Sequence, residues 1–332
     1  MEWAGIMEMA TVEQKTGIET LAGIREKAME NRAKSRAQAT QRAYKTDWAD
    51  FTAWCSSNGL CALPATPETI ELYITALAEV AKPATIARRI ASISVAHGIA
   101  ECTTNPTRSE IVRSALKAQR RIQGTAQASK DALVAADIKA IVSAVNEERG
   151  ADSLYAIRTA ALLLIGMAGA MRRSEIAALT LADVEFIGDR GVVIQIRRSK
   201  TDQEGKGREV AICYGAFHAS CPVRALQRWI NAAGITHGPL FREVDRHGRV
   251  GASSLNDRSI ARLVKDSAAL VGDAAKIGAH SLRAGFATQS VIAGKPTQLG
   301  MKQGGWKSVN TFNRYVRVGD RWNNNPTENF GL

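Results

Sequence analysis

The sequence predicts a mainly α-helical protein with a small antiparallel β-sheet, divided into two domains. Alanine-rich amphipathic stretches fill residues 12–125, with breaks at proline and Asn-Gly positions. Short β-branched segments occur together in the second half, between further helical stretches. The chain has 332 residues, 45% of them hydrophobic, which is enough to bury two cores of ordinary domain size.

Domain boundaries follow from a change in this pattern. Between Gln123 and Lys130 the sequence QGTAQASK is small and polar and has no hydrophobic period, as expected of a linker. We therefore expect an N-terminal tail at 1–24, a helical domain at 25–122, a linker at 123–131, a second domain at 132–318 and a C-terminal tail at 319–332.

The second domain is expected to place its sheet between two groups of helices. The first helices are predicted at 135–145 and 154–170. Three strands follow, separated by Gly188–Gly191 and by the polar sequence TDQEGKG, at 183–187, 192–197 and 208–213. The later helices are predicted at 222–233, 254–270, 280–293, 297–303 and 309–316.

The composition indicates an intracellular, strongly basic protein. Lys and Arg total 44 against 32 Asp and Glu, a formal charge of +12, as expected of a protein that neutralises the phosphates of nucleic acid, ribosomes or a membrane, and equally of one that is merely well solvated. The five cysteines form no CxxC pair, so neither a disulfide framework nor a zinc ribbon is indicated. Cys213, His218 and Cys221 match no standard metal site, and we expect neither metal nor cofactor. The N-terminus is acidic and the longest apolar run, 160–171, is too short for a bilayer, so we expect a cytoplasmic, nucleoid-associated protein without membrane contact.

Three short motifs in the second half carry side chains suited to phosphate chemistry. In GAMRRSEIAAL, Arg172 precedes a helix start, where its fork and nearby amides can hold phosphate oxygens. In HSLRAGFAT, His280 and Arg283 are three apart and share one helical face. In GGWKSVNTFNRYVR, Trp306 precedes a helix that carries Tyr315. Each motif alone has an ordinary explanation: a surface arginine, a core histidine or a packed tyrosine.

Together and in this order, the three motifs resemble those of the tyrosine recombinase family, the phage-type integrases, and especially of its Cre-like branch. Tyr315 lies nine residues after Trp306 and 32 after Arg283, and both spacings are typical of that branch. Tyr44, Tyr73, Tyr155 and Tyr214 have no comparable basic neighbourhood in the sequence. The resemblance covers the second half strongly and the first half only in pattern.

The resemblance implies a role for each motif residue. Arg172 and Arg283 would hold the scissile phosphate, with His280 bonded to the same group and assisting proton transfer. Tyr315 would be the nucleophile. Trp306 takes the place of a second histidine, and its indole N–H cannot titrate, so its expected role is orientation.

Two further positions follow from the same resemblance. Lys200, in the predicted hairpin between the second and third strands, would protonate the leaving 5′ oxygen, and Lys206 in the same turn is the second choice. Glu175 would orient the arginine or the histidine, although a carboxylate near a helix N-terminus has an equal explanation in the helix dipole. Arg173 departs from the family pattern, in which an aliphatic residue is common.

The resemblance also implies a two-domain clamp around duplex DNA, built from a helical core-binding domain and an α+β catalytic domain. Basic clusters on both sides of the linker agree, although solvated helix faces explain any single cluster equally well. The candidate DNA-contacting residues are Arg42, Lys45, Arg88, Arg89 and Arg121 in the first domain and Arg258 and Arg262 in the second.

The expected activity is site-specific recombination through a 3′-phosphotyrosyl intermediate, without metal or ATP. Four protomers on two double-stranded DNA sites would be required, formed from a protein that is a monomer when free. Two alternatives remain open: a relative with the same site but another outcome, such as a type IB topoisomerase or a telomere resolvase, and a DNA-binding regulator that does not use its catalytic residues.

Overall fold

The computed structural model describes residues 37–125, 130–199, 202 and 205–319, together with 23, 24 and 27, and shows 316–319 as backbone only. The chain divides into two compact units, residues 1–127 and 128–332. The division falls inside the stretch predicted as a linker. Within the described ranges, no helix is both long enough and apolar enough to cross a membrane.

The described part of the first unit contains helices and no strands. Its α-helices begin where the sequence supplies start signals: Pro67 and Pro83 occupy first helical positions, and the hydroxyl of Ser109 accepts a hydrogen bond from the amide of Val112 at 3.3 Å. The helices are α1 (Gln38–Ser57), α2 (Pro67–Ala78), α3 (Pro83–Ile99) and α4 (Glu110–Gln123).

The core of this unit forms where the apolar faces of the four helices meet. Phe51 of α1 and Tyr73 of α2 are fully buried, with ring centroids 4.9 Å apart. Ile86 and Ile93 of α3 complete this core, and Val112 closes it from α4. These side chains form one continuous core, and this core holds the four helices together.

The second unit combines helices with two small antiparallel sheets. Its helices before the sheets are α5 (Ala135–Arg149), α6 (Leu154–Ala168) and α7 (Arg173–Ala178). The strands and the intervening helix are β1 (Val184–Ile187), β2 (Gly191–Ile196), β3 (Arg208–Cys213), α8 (Pro222–Ala232), β4 (Arg242–Val244) and β5 (Val250–Ser254). The last helices are α9 (Asp257–Ala268), α10 (His280–Ile292), α11 (Thr297–Gly304) and α12 (Val309–Gly319).

The first sheet is antiparallel, as predicted. Strands β1, β2 and β3 are neighbours in chain order and pair antiparallel, with Ile194 opposite Val210. Val192, Ile194 and Ile196 alternate on the buried face of β2, as a half-buried strand requires. The predicted fold class, mainly helical with a small antiparallel sheet, is confirmed.

The β4–β5 hairpin is a feature that the sequence prediction missed. A helix was predicted from residue 254, but β5 extends to Ser254 and α9 begins at Asp257, where the side chain of Asn256 accepts the Ser259 amide at 2.8 Å. Asp245 shapes the hairpin turn by accepting the amides of His247 and Arg249. The strands are too short and too polar to show a period of two.

Helix α6 is the centre of the second unit. Residues 161–165 in its middle are all buried, so the helix is apolar on every side and packs against α5, α8 and α10. Because it is enclosed, its C-terminal end has a fixed position. The Arg172 motif begins just beyond that end.

Gly285 permits the close approach that holds α10 against the start of the unit. A Cβ built on Gly285 would lie 1.8 Å from the carbonyl oxygen of Leu133. We expect Gly285→Ala to lower the free energy of unfolding by about 3 kcal/mol, because the obstructing atom is backbone and cannot rotate away. Denaturant unfolding measures this change. Gly272→Ala is the control, since nothing lies within 4 Å of its added Cβ, and an equal loss in both variants would contradict the expectation.

Candidate active site

The turn after α6 presents Arg172 in a defined direction. Ala170 adopts a left-handed conformation with φ 49°, which is unusual for a residue with a Cβ, and it is fully buried. The amide of Met171 donates to the carbonyl of Gly166 at 3.0 Å, which closes the turn. Arg172 then stands at the N-cap of α7. Backbone strain of this kind collects at functional sites, where the surrounding structure holds it in place.

Glu175 anchors this arginine from the first turn of α7. Its buried carboxylate accepts the backbone amide of Arg172 at 3.0 Å and the Arg172 Nη1 at 2.6 Å. Glu175 therefore caps the start of α7 and also pairs with the arginine. Arg173, the departure from the family pattern, lies at the surface and pairs with Asp257 of α9 at 3.1 Å, so it leaves the core intact.

Arg208, at the start of β3, is a site residue that the sequence prediction missed. Its Nη2 bonds the carboxylate of Glu175 at 2.9 Å, and its Nη1 donates to the carbonyl of Gln303 at 2.7 Å. Burial lowers the pKa of Arg208, an effect that Glu175 partly offsets. A signal was present in the sequence, because Arg208 is in phase with the buried Val210 and Ile212 on one face of the strand.

Arg283 is the most deeply enclosed cation of the site, with a relative exposure of 1%. Its Nη1 donates to the carbonyl of Ala170 at 2.5 Å, and its guanidinium carbon lies 3.7 Å from the ring centroid of Trp306. Among the described residues, its buried Nη2 has no acceptor. Burial first, and then the charge of Arg172, lower the pKa of Arg283 to about 9, so the group still carries its charge at neutral pH.

Tyr315 of α12 lies beside His280 of α10. The phenol oxygen is 2.6 Å from Nε2 of His280. The Tyr315 ring is inclined by 64° to the Trp306 ring, with centroids 5.9 Å apart. Burial raises the pKa of Tyr315, while the charges of Arg283 and Arg172 oppose the rise. The phenol is therefore protonated at neutral pH and has an imidazole nitrogen within hydrogen-bonding distance.

Trp306 supports the site through its ring face. Gly304 leaves room for the indole, since a Cβ at this position would lie 1.8 Å from it. The Phe312 ring packs edge-on against the indole, with ring centroids 5.1 Å apart. Ala170 and Ala287 complete this small cluster between the last helices and the site. The sequence prediction gave Trp306 an orienting role through its N–H. The structure shows a different contact, because the ring face stacks on the Arg283 guanidinium.

The two lysine candidates belong to the loop between β2 and β3. Lys200 lies outside the described residues. Lys206 is exposed, and its backbone amide donates to the carboxylate of Asp202 at 3.1 Å. That carboxylate also accepts the amide of Gly207 at 2.7 Å, and this bond lowers the pKa of Asp202 most strongly.

The candidate DNA-contacting residues divide into two groups. Arg88 and Arg89 of α3 form ion pairs with Asp47 and Asp50 of α1, and Arg89 also donates to the hydroxyl of Tyr73 at 2.9 Å. These pairs reduce the charge that either arginine offers to a phosphate. The other candidates are exposed, as Arg88 is, and they lie on three helices: Arg42 and Lys45 on α1, Arg121 on α4, and Arg258 and Arg262 on α9.

The three residues considered for metal binding have different surroundings. Cys213 and His218 are exposed, whereas Cys221 is buried and its sulfur accepts the amide of Gly215 at 3.1 Å. In the ranges that the structure describes, no group of three or more His, Cys, Asp or Glu side chains is placed to hold a metal ion.

The assembled side chains can bind an anion beside a nucleophile. Glu175 pairs with Arg172 and Arg208, and its charge also acts on Arg283, so three guanidinium groups share one carboxylate and positive charge is in excess. The field from Arg172 and Arg283 reaches the phenol of Tyr315. Of the seven predicted site residues, the structure brings together all but Lys200, which it does not describe.

Comparison with known proteins provides independent evidence of the family to which the chain belongs. The model of the phage integrase family matches residues 132–321. The chain is 37% identical over 274 residues to an integrase/recombinase xerD homolog of Selenomonas ruminantium, covering 82% of this chain and 79% of the relative. It is 27% identical over 180 residues to recombinase cre of Escherichia phage P1, covering 50% of this chain and 51% of the relative.

Two solved structures share the fold at low sequence identity. The Tn1549 transposon integrase, in complex with transposon right end DNA, matches with a TM-score of 0.60 and 16% identity, over 89% of this chain and 95% of that chain. A lambda integrase dimer bound to a core site matches with a TM-score of 0.57 and 16% identity, over 91% of this chain and 95% of that chain. With the family match and the xerD relative, these findings show that the chain belongs to the phage integrase family, the tyrosine-type site-specific recombinases.

Proposed function

We propose that this recombinase cuts and rejoins double-stranded DNA through a covalent bond between Tyr315 and a backbone phosphate. The observation that carries the proposal is the convergence of two positive charges, those of Arg172 and Arg283, on a phenol that lies 2.6 Å from His280 Nε2. A pure DNA-binding protein has no need of a tyrosine in this position. The arrangement supports nucleophilic catalysis with electrostatic stabilisation of the phosphate.

The cleavage step exchanges one phosphate ester for another. The phenol oxygen of Tyr315 forms a bond to phosphorus while the bond from phosphorus to the 5′ oxygen breaks, which leaves a 3′-phosphotyrosyl link and a 5′ hydroxyl. The phenol proton passes to a base, and His280 Nε2 at 2.6 Å is the group positioned to accept it. Arg172 and Arg283 stabilise the negative charge that gathers on the phosphate oxygens.

The departing 5′ oxygen needs a proton, which a lysine of the β2–β3 loop supplies in this proposal. Lys200 is the first choice and Lys206 the second. Glu175 keeps Arg172 in place through the 2.6 Å ion pair. Because the ester bond energy is kept in the protein link, a 5′ hydroxyl from a second site can reverse the step without ATP.

The proposed partners are two DNA sites and three further copies of the chain. The two solved relatives are DNA complexes, and one is a dimer on a core site, which supports DNA as the partner. Exchange between two sites needs four active sites, so we propose a tetramer on DNA and a monomer in its absence. Association with the nucleoid in the cytoplasm stays a prediction from the sequence, as do the domain boundaries and the clamp.

A plasmid assay tests the proposed function. Selection of bound DNA from a random pool provides the target, and two copies of it are placed on one supercoiled plasmid. We expect a rearranged plasmid, in which the segment between the sites is excised or inverted, together with a covalent protein–DNA adduct. Relaxation of a one-site plasmid without exchange would indicate a topoisomerase, hairpin ends would indicate a telomere resolvase, and binding without any adduct would indicate a regulator. Each of these three results contradicts the proposal.

A further inference from the structure

Arg208 connects two parts of the site that come from distant segments of the chain. One amino group bonds Glu175 at the start of α7, and the other bonds the carbonyl of Gln303 at the end of α11. The side chains of Arg208 and Glu175 are 17% and 1% exposed, so the ion pair is largely shielded from water. The carboxylate of Glu175 is in turn bonded to Arg172.

The far end of this connection lies next to the tryptophan. Gln303 is followed by Gly304 and Gly305, and the Arg208 side chain packs so closely on Gly305 that a Cβ there would lie 3.0 Å from its Cδ. Trp306 comes next, and its ring supports Arg283 and contacts Tyr315. The side-chain amide of Gln303 also donates to the carbonyl of Ala211 in β3 at 2.8 Å, which joins α11 to the same strand.

We infer that Arg208 is a positioning residue for DNA cleavage, one that sets the distance between the Arg172–Glu175 pair and the Trp306–Arg283–Tyr315 group. This inference rests on the proposed function. The planar guanidinium of Arg208 makes two directed bonds at once. A lysine ammonium on a flexible stem does not reproduce both bonds with the same geometry. Without Arg208, Glu175 is left with Arg172 alone, and the last carbonyl groups of α11 lose a buried donor.

The geometry assigns Arg208 an indirect role. Both of its bonded amino groups are directed at protein acceptors, and its Nε is buried without a partner among the described residues. It acts on the phosphate through Arg172 and through the tryptophan that supports Arg283. A merely structural arginine would affect how much protein is folded, whereas a positioning arginine affects how fast the folded protein cleaves.

The test compares Arg208→Met, Arg208→Lys and the wild type on a DNA substrate that traps the covalent adduct. At saturating DNA, we expect Arg208→Met to lower the first-order rate of adduct formation by about 10- to 100-fold, the range found when residues that orient active-site groups in metal enzymes are removed. The final amount of adduct and the affinity for DNA should stay unchanged. Arg208→Lys should recover part of the rate, because it restores the charge but only one directed bond.

Two further variants make the result specific. Arg190→Met removes an exposed arginine from the β1–β2 turn and should leave the rate unchanged. In a Glu175→Gln background, Arg208→Met should cost less than it does alone, since both changes break the same connection. A normal rate with less adduct would overturn the inference, because it indicates a folding defect, and so would fully additive effects. If the wild type forms no adduct at all, the proposed function fails and not merely the role of Arg208.

Discussion

Tyr315→Phe is expected to abolish the covalent protein–DNA adduct while DNA binding is almost unchanged. The phenylalanine ring fits the same position and keeps the edge contact with Trp306, but it lacks the oxygen that lies 2.6 Å from His280. Loss of the nucleophile removes the only route to the phosphotyrosyl bond in the proposed mechanism. By comparison with nucleophile deletions in other enzymes, we expect the rate of DNA cleavage to fall by at least about 10⁴-fold.

The matched control for this variant is Tyr214→Phe. Tyr214 is partly buried, with its hydroxyl 3.4 Å from Gln227 and Arg224 over its ring, away from the residues that surround Tyr315. It should form the adduct at the wild-type rate. Gel electrophoresis under denaturing conditions separates the adduct from free DNA. Persistence of the adduct in Tyr315→Phe would show that another residue is the nucleophile.

Arg283→Lys is expected to produce the second largest loss, about 10² to 10³-fold in the rate of adduct formation at saturating DNA. That is the typical cost of removing one preorganised donor from a site that stabilises negative charge. The lysine keeps the positive charge but cannot both stack flat on Trp306 and bond the carbonyl of Ala170. The lysine has a single side-chain nitrogen, so no donor occupies the position of Arg283 Nη2. In the wild type, that nitrogen is buried and has no acceptor among the described residues.

Arg228→Lys provides the control for an arginine outside the site. Arg228 forms an exposed ion pair with Asp152, so the exchange should change neither the rate nor the stability measurably. Thermal unfolding of both variants shows whether the protein remains folded. If folded Arg283→Lys cleaves DNA as fast as the wild type, the guanidinium of Arg283 does not hold the scissile phosphate.

The sequence predicted the elements of the second unit better than the contacts between them. Long apolar periods placed α6 and α10 within two residues at each end, because these helices face a large core on most sides. The β4–β5 hairpin had no such signal, since its strands are short and polar. Its turn is held by the local bonds of Asp245. Strand β4 is joined to α6 by the bond from Arg158 Nη1 to the carbonyl of Arg242 at 3.1 Å, a contact between segments 84 residues apart in the chain.

In the candidate active site too, residues could be predicted from the sequence better than the contacts between them. His280, Arg283, Trp306 and Tyr315 could be found from their types and spacing, because the order of the motifs is specific. Arg208 could not be given a role in this way, since its partners lie 33 and 95 residues away in the chain. The ion pairs that engage Arg88 and Arg89 across two helices were hidden for the same reason. Sequence patterns identify a charged residue, but its partner depends on the packing of helices.

The bond between Tyr315 and DNA can be tested directly by mapping it. The adduct formed by the wild-type protein is trapped, digested with protease and nuclease, and analysed by mass spectrometry. We expect one modified peptide, in which the phenol oxygen of Tyr315 carries a nucleotide joined through its 3′ phosphate. A nucleotide on any other residue, or a link through a 5′ phosphate, would contradict the mechanism proposed for this recombinase.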